Sequence, residues 1–211
     1  MIHSSAPILV TAAMFLAGSA FAAPTTAAKA PAVAAKSAAP AVATAKTPAF
    51  ASDAARSQLE FSGLQAGAVF KGVFKKFTVT TQFDPAQLTA SRLDVQIDVN
   101  SLDSQDADRD KTMRSAEFFD VAKNPSAHYV TRSISKSAKG YAALGTLTLR
   151  GVSRDVPIEF QFTPIAGGAT LVGDAALKRL DFGVGQGEWK STEWVGDEVK
   201  IHFSVSLKPA P

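Results

Sequence analysis

Beyond Ser57 the apolar and polar side chains alternate with a period of two. Leu93, Val95, Ile97 and Val99 alternate with Asp94, Gln96 and Asp98. Ile158, Phe160 and Phe162 alternate with Glu159 and Gln161, and Ile201, Phe203, Val205 and Leu207 with His202, Ser204 and Ser206. A strand turns successive side chains to opposite faces, so each set predicts a half-buried strand. Residues 57–64, 69–83, 127–137, 141–150 and 170–177 are further candidates. Asp84-Pro85, Lys139-Gly140 and Gly167-Gly168 mark turns between them. Eight strands, mostly short and closely connected, predict an all-β antiparallel sandwich or closed barrel. Residues 106–119 lack alternation and predict one short helix followed by an irregular turn. An eight-stranded barrel is either filled by its own side chains or holds one small ligand. The pattern leaves both open. Glycines such as Gly63, Gly72, Gly145 and Gly173 make space where they face inward, and serve as bends or bulges where they do not.

The N-terminal quarter is different material. Residues 8–18 are an apolar run, and Ala20-Phe21-Ala22 places small residues at −3 and −1 of a cleavage site. This predicts a signal peptide over residues 1–22, cleaved after Ala22. The run is shorter than the ~18 residues a membrane span needs, although no Lys or Arg precedes it. Residues 23–49 are mostly Ala, Pro, Thr, Val and Lys with no aromatic side chain. Such a segment buries too little apolar area to offset ordering, so it is expected to be a disordered tether. Residues 50–211 are then one globular domain, large enough for its own core.

That division changes the meaning of the charge. The chain carries 22 basic and 19 acidic residues, net +3. Lys29, Lys36 and Lys46 lie in the tether, and without them the count is 19 against 19. The folded part has no positive excess, which argues against nucleic acid as a partner. With no cysteine, there is no disulfide scaffold, thiol catalysis or thiolate metal site.

Candidate chemistry is sparse. Asp106, Asp108, Asp110 and Glu117 occupy positions 1, 3, 5 and 12 of a calcium-loop pattern, but position 6 is Lys111 rather than Gly, and Arg109 and Arg114 fall within the loop. A solvated helix start, with acids facing the helix dipole, is the simpler reading. His128 and His202 stand singly in strands without metal-ligand spacing. Gly183-Val-Gly185-Gln-Gly187 opens no clear helix and lies in no βαβ unit, so it reads as a loop, not a dinucleotide fingerprint. No catalytic residue, metal ligand or covalent cofactor is expected.

Several longer motifs carry more information. They are RSAEFFDV at 114–121, GTLTLRGVSRDV at 145–156, RLDFGVGQGEW at 179–189 and WVGDEVKIHFSVSL at 194–207. In this order they resemble the YceI family of secreted, lipocalin-like isoprenoid-binding proteins, over about residues 57–209. The resemblance implies an extended eight-stranded antiparallel lipocalin-like barrel with one short helix. It also implies a periplasmic location and an apolar tunnel holding a polyprenyl lipid or isoprenoid quinone. Tunnel-lining residues are expected among the apolar faces: Phe61, Phe74, Val95, Ile97, Leu147, Phe160 and Phe203, with Phe118, Phe119, Phe182 and Trp189 near an entrance. Arg150, Arg154, Arg179, Asp155, Asp181 and Asp197 lie in the family-like motifs and are expected to form ion pairs that fix loops. Many family members carry histidines in the first hairpin. Here the matching positions are Gln58, Leu59 and Phe74 to Phe77, so no histidine role at a head group carries over. The expected activity is carriage or sequestration of an isoprenoid lipid, without catalysis. The alternatives are an accessory subunit on a membrane b-type cytochrome, and an enzyme acting on a lipid or quinone. A membrane redox protein and a second copy of the chain are the protein partners left open.

Overall fold

The computed structural model of the chain describes residues 47–210. The expectations for residues 1–46 lie outside the described residues. The strands are β1 (Ala49–Ser52), β2 (Gln58–Gln65), β3 (Ala68–Phe74), β4 (Phe77–Gln82), β5 (Arg92–Asp98), β6 (Leu102–Asp103), β7 (Ser126–Ser137), β8 (Gly140–Leu149), β9 (Val152–Ile165), β10 (Gly168–Lys178) and β11 (Glu198–Pro209). Among the described residues one α-helix, α1 (Ala107–Arg114), lies between β6 and β7.

The wall is one antiparallel sheet that closes on itself in the order β1, β4, β5, β7, β8, β9, β10, β11 and back to β1. Closure rests on β1, which pairs Phe50 with Thr81 of β4 on one side and with Pro209 of β11 on the other. The ring has the expected eight strands, but not the same eight. Ala49, the last residue of the expected tether, and residues 50–52, where no strand is expected, form β1. The expected strand over 69–83 is two strands, broken at Lys75-Lys76. Phe74 and Phe77 both line the interior, so the inward parity switches from even to odd positions there. Ser101 fills the break: its carbonyl accepts from Lys75 N at 3.2 Å and its hydroxyl from Lys76 N at 2.9 Å. Beyond this level the first hairpin leaves the ring. β2 pairs with the N-terminal half of β11, β3 pairs with β2, and β6 joins the edge of β3.

A second parity change lies in β7, where a bulge at Arg132 shifts the register between Thr131 and Ser133. The extra residue lets both Tyr129 and Ile134 face inward and be buried, and gives β7 a local bend.

The two ends of the barrel are built differently. At the β1 end, aromatic rings form a plug. Phe83 lies 4.9 Å from Tyr141, 4.4 Å from Phe162 and 5.7 Å from Phe160, and Phe50 packs on Phe162 at 5.6 Å. At the opposite end the segments around residues 115–119 and 183–197 fold over the opening. Glu117 O accepts from Gly185 N at 2.9 Å and Gln186 N at 2.8 Å.

Arg179 holds this cap. It is 3 % exposed, and its guanidinium donates to four backbone carbonyls: Gly196 O at 3.0 Å, Val184 O at 2.8 Å, Ser191 O at 3.2 Å and Val195 O at 2.9 Å. Burial pushes its pKa below the usual arginine value, and the Asp197 charge opposes that shift. Gly185 makes the approach possible: its φ of +94° favours glycine, and a Cβ there would sit 1.9 Å from Arg179 Nη1. Arg179 therefore departs from the expected ion pairing. Carbonyls at fixed positions supply its acceptors, so the loop itself becomes the partner.

Helix α1 starts as its sequence dictates. Asp106 caps it, accepting from Asp108 N at 3.1 Å and Arg109 N at 3.0 Å. The bond from Arg109 N, with the Arg109 charge, holds the Asp106 carboxyl below the usual carboxylate range. Two of the other acids of the calcium-like pattern are also engaged: Asp110 accepts from Ser104 N at 2.8 Å and Ser104 Oγ at 2.6 Å, and Glu117 accepts from the Trp189 indole at 2.8 Å.

Two outcomes follow from these contacts. Asp106→Ala removes a helix cap and is expected to lower the urea unfolding midpoint; an unchanged midpoint would show that the cap carries no stability. Arg179→Met strands four carbonyls and is expected to cost about 3 kcal/mol. Hydrogen exchange should then accelerate at Gly185 and Gln186 ahead of the β-strand amides, and exchange that rises uniformly would contradict a local clamp.

Candidate functional site

The inward faces of the strands enclose a lumen that runs along the barrel. Val205 and Leu171 line it toward the aromatic plug, and Leu64, Val195 and Gly196 line it at the loop end. The cavity has a volume of about 190 Å³. An engineered apolar cavity of about 150 Å³ suffices to bind benzene. The lumen in this conformation therefore admits a short apolar segment, and a longer chain requires ring movements.

The lining is apolar with two exceptions. Arg179 contributes, but its polar atoms are turned to the four carbonyls of the cap. Tyr129 contributes its ring, and its hydroxyl donates to Val156 O at 3.1 Å. Burial raises the Tyr129 pKa far above the usual phenol value, so it stays a neutral donor. The walls thus present no free charge to whatever occupies the lumen.

Space comes from glycines set against aromatic rings. Gly72 lies opposite Phe61 in the β2–β3 ladder, and Gly173 opposite Phe203 in the β10–β11 ladder. A Cβ at Gly72 would lie 2.4 Å from Phe61 Cζ, at Gly173 2.5 Å from Phe203 Cζ, and at Gly145 2.4 Å from Tyr129 Cζ. Each ring occupies space that its glycine leaves free in the wall. The same rings over any larger residue would project into the lumen. Such aromatic–glycine pairs across strands also restore the packing a glycine forfeits.

The expected lining residues distribute as follows. Phe61, Phe74, Val95, Ile97, Leu147, Phe203, Phe118 and Phe119 border the lumen. Phe160 belongs to the plug, 5.5 Å from the Tyr141 ring. Phe182 is buried outside the lumen wall. Trp189 forms a second layer, 5.3 Å from Phe118. Strand alternation identifies the inward face but not the height along the barrel axis, so Phe160 could not be told from a wall residue. Leu59, Phe70, Phe77, Met113 and Tyr129 also line the lumen. The alternation marks Phe70 and Phe77 once the parity switch at Lys75-Lys76 is read, but no local pattern marks Met113, which α1 carries in.

The histidines lie on the other side of the wall. His128 Nε2 is 3.0 Å from Asp94 Oδ1, and His202 Nδ1 is 2.8 Å from Asp174 Oδ1, both in solvent-accessible pairs. Among the described residues no three His, Cys, Asp or Glu side chains converge as metal ligands. The remaining charged residues of the family-like motifs have mixed partners. Arg150 donates to Ala116 O at 2.8 Å, and Asp155 pairs with Arg132.

Comparison with known proteins gives a consistent placement. The model of the YceI-like domain family matches residues 50–207. Protein YceI of Salmonella arizonae is 42 % identical over 88 residues, which cover 42 % of this chain and 46 % of that protein. The chain thus spans about half the length of the curated relatives it matches. The crystal structure of BcnA from Burkholderia cenocepacia superposes with a TM-score of 0.70 at 32 % identity, over 74 % of this chain and 98 % of that one. A polyisoprenoid binding domain from Saccharophagus degradans, at 16 % identity, shares the fold with a TM-score of 0.56 over 77 % of this chain and 99 % of that one. The family match across the whole barrel, together with these folds, establishes that this chain belongs to the YceI-like family.

Proposed function

We propose that this protein holds an isoprenoid lipid, a polyprenyl chain or the tail of an isoprenoid quinone, in its barrel and carries or sequesters it in the periplasm. The observation that carries this reading is the apolar lumen kept open by aromatic rings recessed over Gly72, Gly145 and Gly173. The name of the Saccharophagus degradans domain, which has the same fold, points to the same ligand class. The signal-like sequence of residues 1–22 supports the periplasmic setting.

The energetics suit a carrier. Each buried CH₂ is worth ~0.8 kcal/mol relative to water, so a prenyl tail has ample reason to leave water. A lipid bilayer offers the same apolar environment, so transfer from membrane to barrel is close to balanced and the cargo can be released. A full-length tail exceeds the present lumen, so its entry requires lining rings to move. Turnover of the cargo is not part of this reading. The two polar side chains of the lining, Tyr129 and Arg179, are spent on backbone carbonyls, which leaves neither poised as an acid or base.

Protein purified from its native host without detergent, then extracted with organic solvent, is expected to yield one isoprenoid species per chain by mass spectrometry. An empty extract, together with no uptake of added quinone or polyprenol, would sink the proposal. Gly72→Ala is expected to push Phe61 into the lumen. Overpacking of this kind costs ~1–3 kcal/mol, so lipid uptake should fall about tenfold or more. The double variant Gly72→Ala, Phe61→Leu should recover it, and a loss that the second substitution does not relieve would place the effect elsewhere.

A further inference from the structure

The lumen reaches the surface at a small apolar lip. Leu64 lines the lumen and is nevertheless 45 % exposed. Val69, its direct partner across β2 and β3, is 68 % exposed, and Trp194 is 58 % exposed. Backbone hydrogen bonds join the three into one feature: Ala66 N donates to Trp194 O at 2.8 Å and Gly196 N to Leu64 O at 2.9 Å. The hairpin tip is a tight turn with positive φ at Ala66 (51°) and Gly67 (78°). From behind, Arg109 braces it, donating to Gln65 Oε1 at 3.2 Å with its guanidinium 4.8 Å from the Phe70 ring centre.

The tip itself is uncharged. No ionisable residue occurs from Gly63 to Phe70 or from Trp194 to Gly196. Charges of both signs flank it: Lys71, Glu193 and Asp197 adjoin these segments in sequence, and Arg109, paired with Asp106, reaches Gln65, so the contact it makes is apolar first. Among the described residues the other exposed large apolar side chains, Leu144, Ile165 and Val172, lie on β8, β9 and β10, apart from the lip.

We infer that this lip inserts into the interfacial region of a lipid bilayer and places the mouth of the lumen against the membrane. This inference rests on the proposed lipid cargo for its purpose. Three side chains offer far less than the ~800 Å² per partner of a stable protein interface, which disfavours a second copy as the occupant. An exposed tryptophan beside aliphatic side chains and a backbone tip without charge match the headgroup–acyl boundary, where tryptophan is enriched. Leu64 belongs to both the lip and the lumen lining, so a chain leaving the bilayer there passes along apolar surface.

The test uses the full chain with phosphatidylcholine vesicles, with and without brominated acyl chains. The chain has two tryptophans, and Trp189 is packed against Phe118 behind the lip. Brominated lipid is expected to quench the wild-type fluorescence, and Trp194→Phe should abolish most of that quenching. Leu64→Ser with Val69→Ser should weaken vesicle co-sedimentation about tenfold or more, because binding scales with inserted apolar area. Vesicle binding that is unchanged in these variants, or no quenching of Trp194, would overturn the inference. So would a concentration-dependent dimer that the variants dissociate while vesicles are ignored. Uptake of isoprenoid from detergent solution separates the two proposals. Wild-type protein that takes up lipid from detergent but is never quenched loses the docking and keeps the cargo. Quenching without uptake does the reverse.

Discussion

An apolar lumen can exist in this protein because the backbone around it is hydrogen-bonded in a closed ring, and that ring is completed by four residues. Ala49 to Ser52 pair with β4 on one side and β11 on the other. Without them two strand edges would face each other with unpaired amides and carbonyls, which a sheet edge must otherwise hide or pair. The closing pairs join Phe50 to Pro209, almost the two ends of the described chain. Contacts of such sequence separation form late and slowly, so the barrel can close only after its last strand is available.

The ring also explains why the two ends differ. Where β1 completes the ring, the inward side chains meet at short range and pack as an aromatic plug. Past the break at Lys75-Lys76, β2 and β3 continue the wall beside the N-terminal half of β11, but the far edge of β3 pairs only with the two-residue β6, so among the described residues no strand closes the ring at this level. The protein covers that end with loops instead. Loops carry unsatisfied carbonyls, and a buried arginine is the side chain with enough donors in a fixed fork to satisfy several at once. Arg179 serves that purpose, and its place in the lumen wall follows from the cap it holds.

Much of this was legible in the sequence. Alternation marked eight segments, which cover nine of the eleven strands, its absence over residues 106–119 marked the stretch that holds the helix Ala107–Arg114, and the family-like motifs implied the barrel. The break in the first hairpin was legible in principle, because Phe74-Lys75-Lys76-Phe77 moves the apolar face from even to odd positions. β1 was not. Its sequence, Ala-Phe-Ala-Ser, continues an alanine-rich stretch, and what makes it a strand is two partners that lie far away in the chain. Site residues were legible as a face and not as a height. Phe203 and Phe160 have the same local pattern, yet one lines the lumen and the other plugs its end. The acceptors of Arg179 were beyond reach, since backbone carbonyls leave no mark on composition.

The recessed rings have an evolutionary consequence. At Gly72 the glycine is decoupled from the wall's hydrogen bonds: the atoms a new methyl group meets belong to the Phe61 ring, not to backbone. One carbon added there moves six, so lumen width responds to a single substitution with strong gain while the ladder that holds the barrel together is untouched. At Gly173 and Gly145 the same methyl group also meets a carbonyl oxygen, so those positions are locked by the fold. Of these three glycines, a lineage adapting this barrel to thicker or thinner cargo thus has one adjustable position and two fixed ones, and among them relatives with different ligands are expected to diverge first at the position of Gly72 and its partner ring.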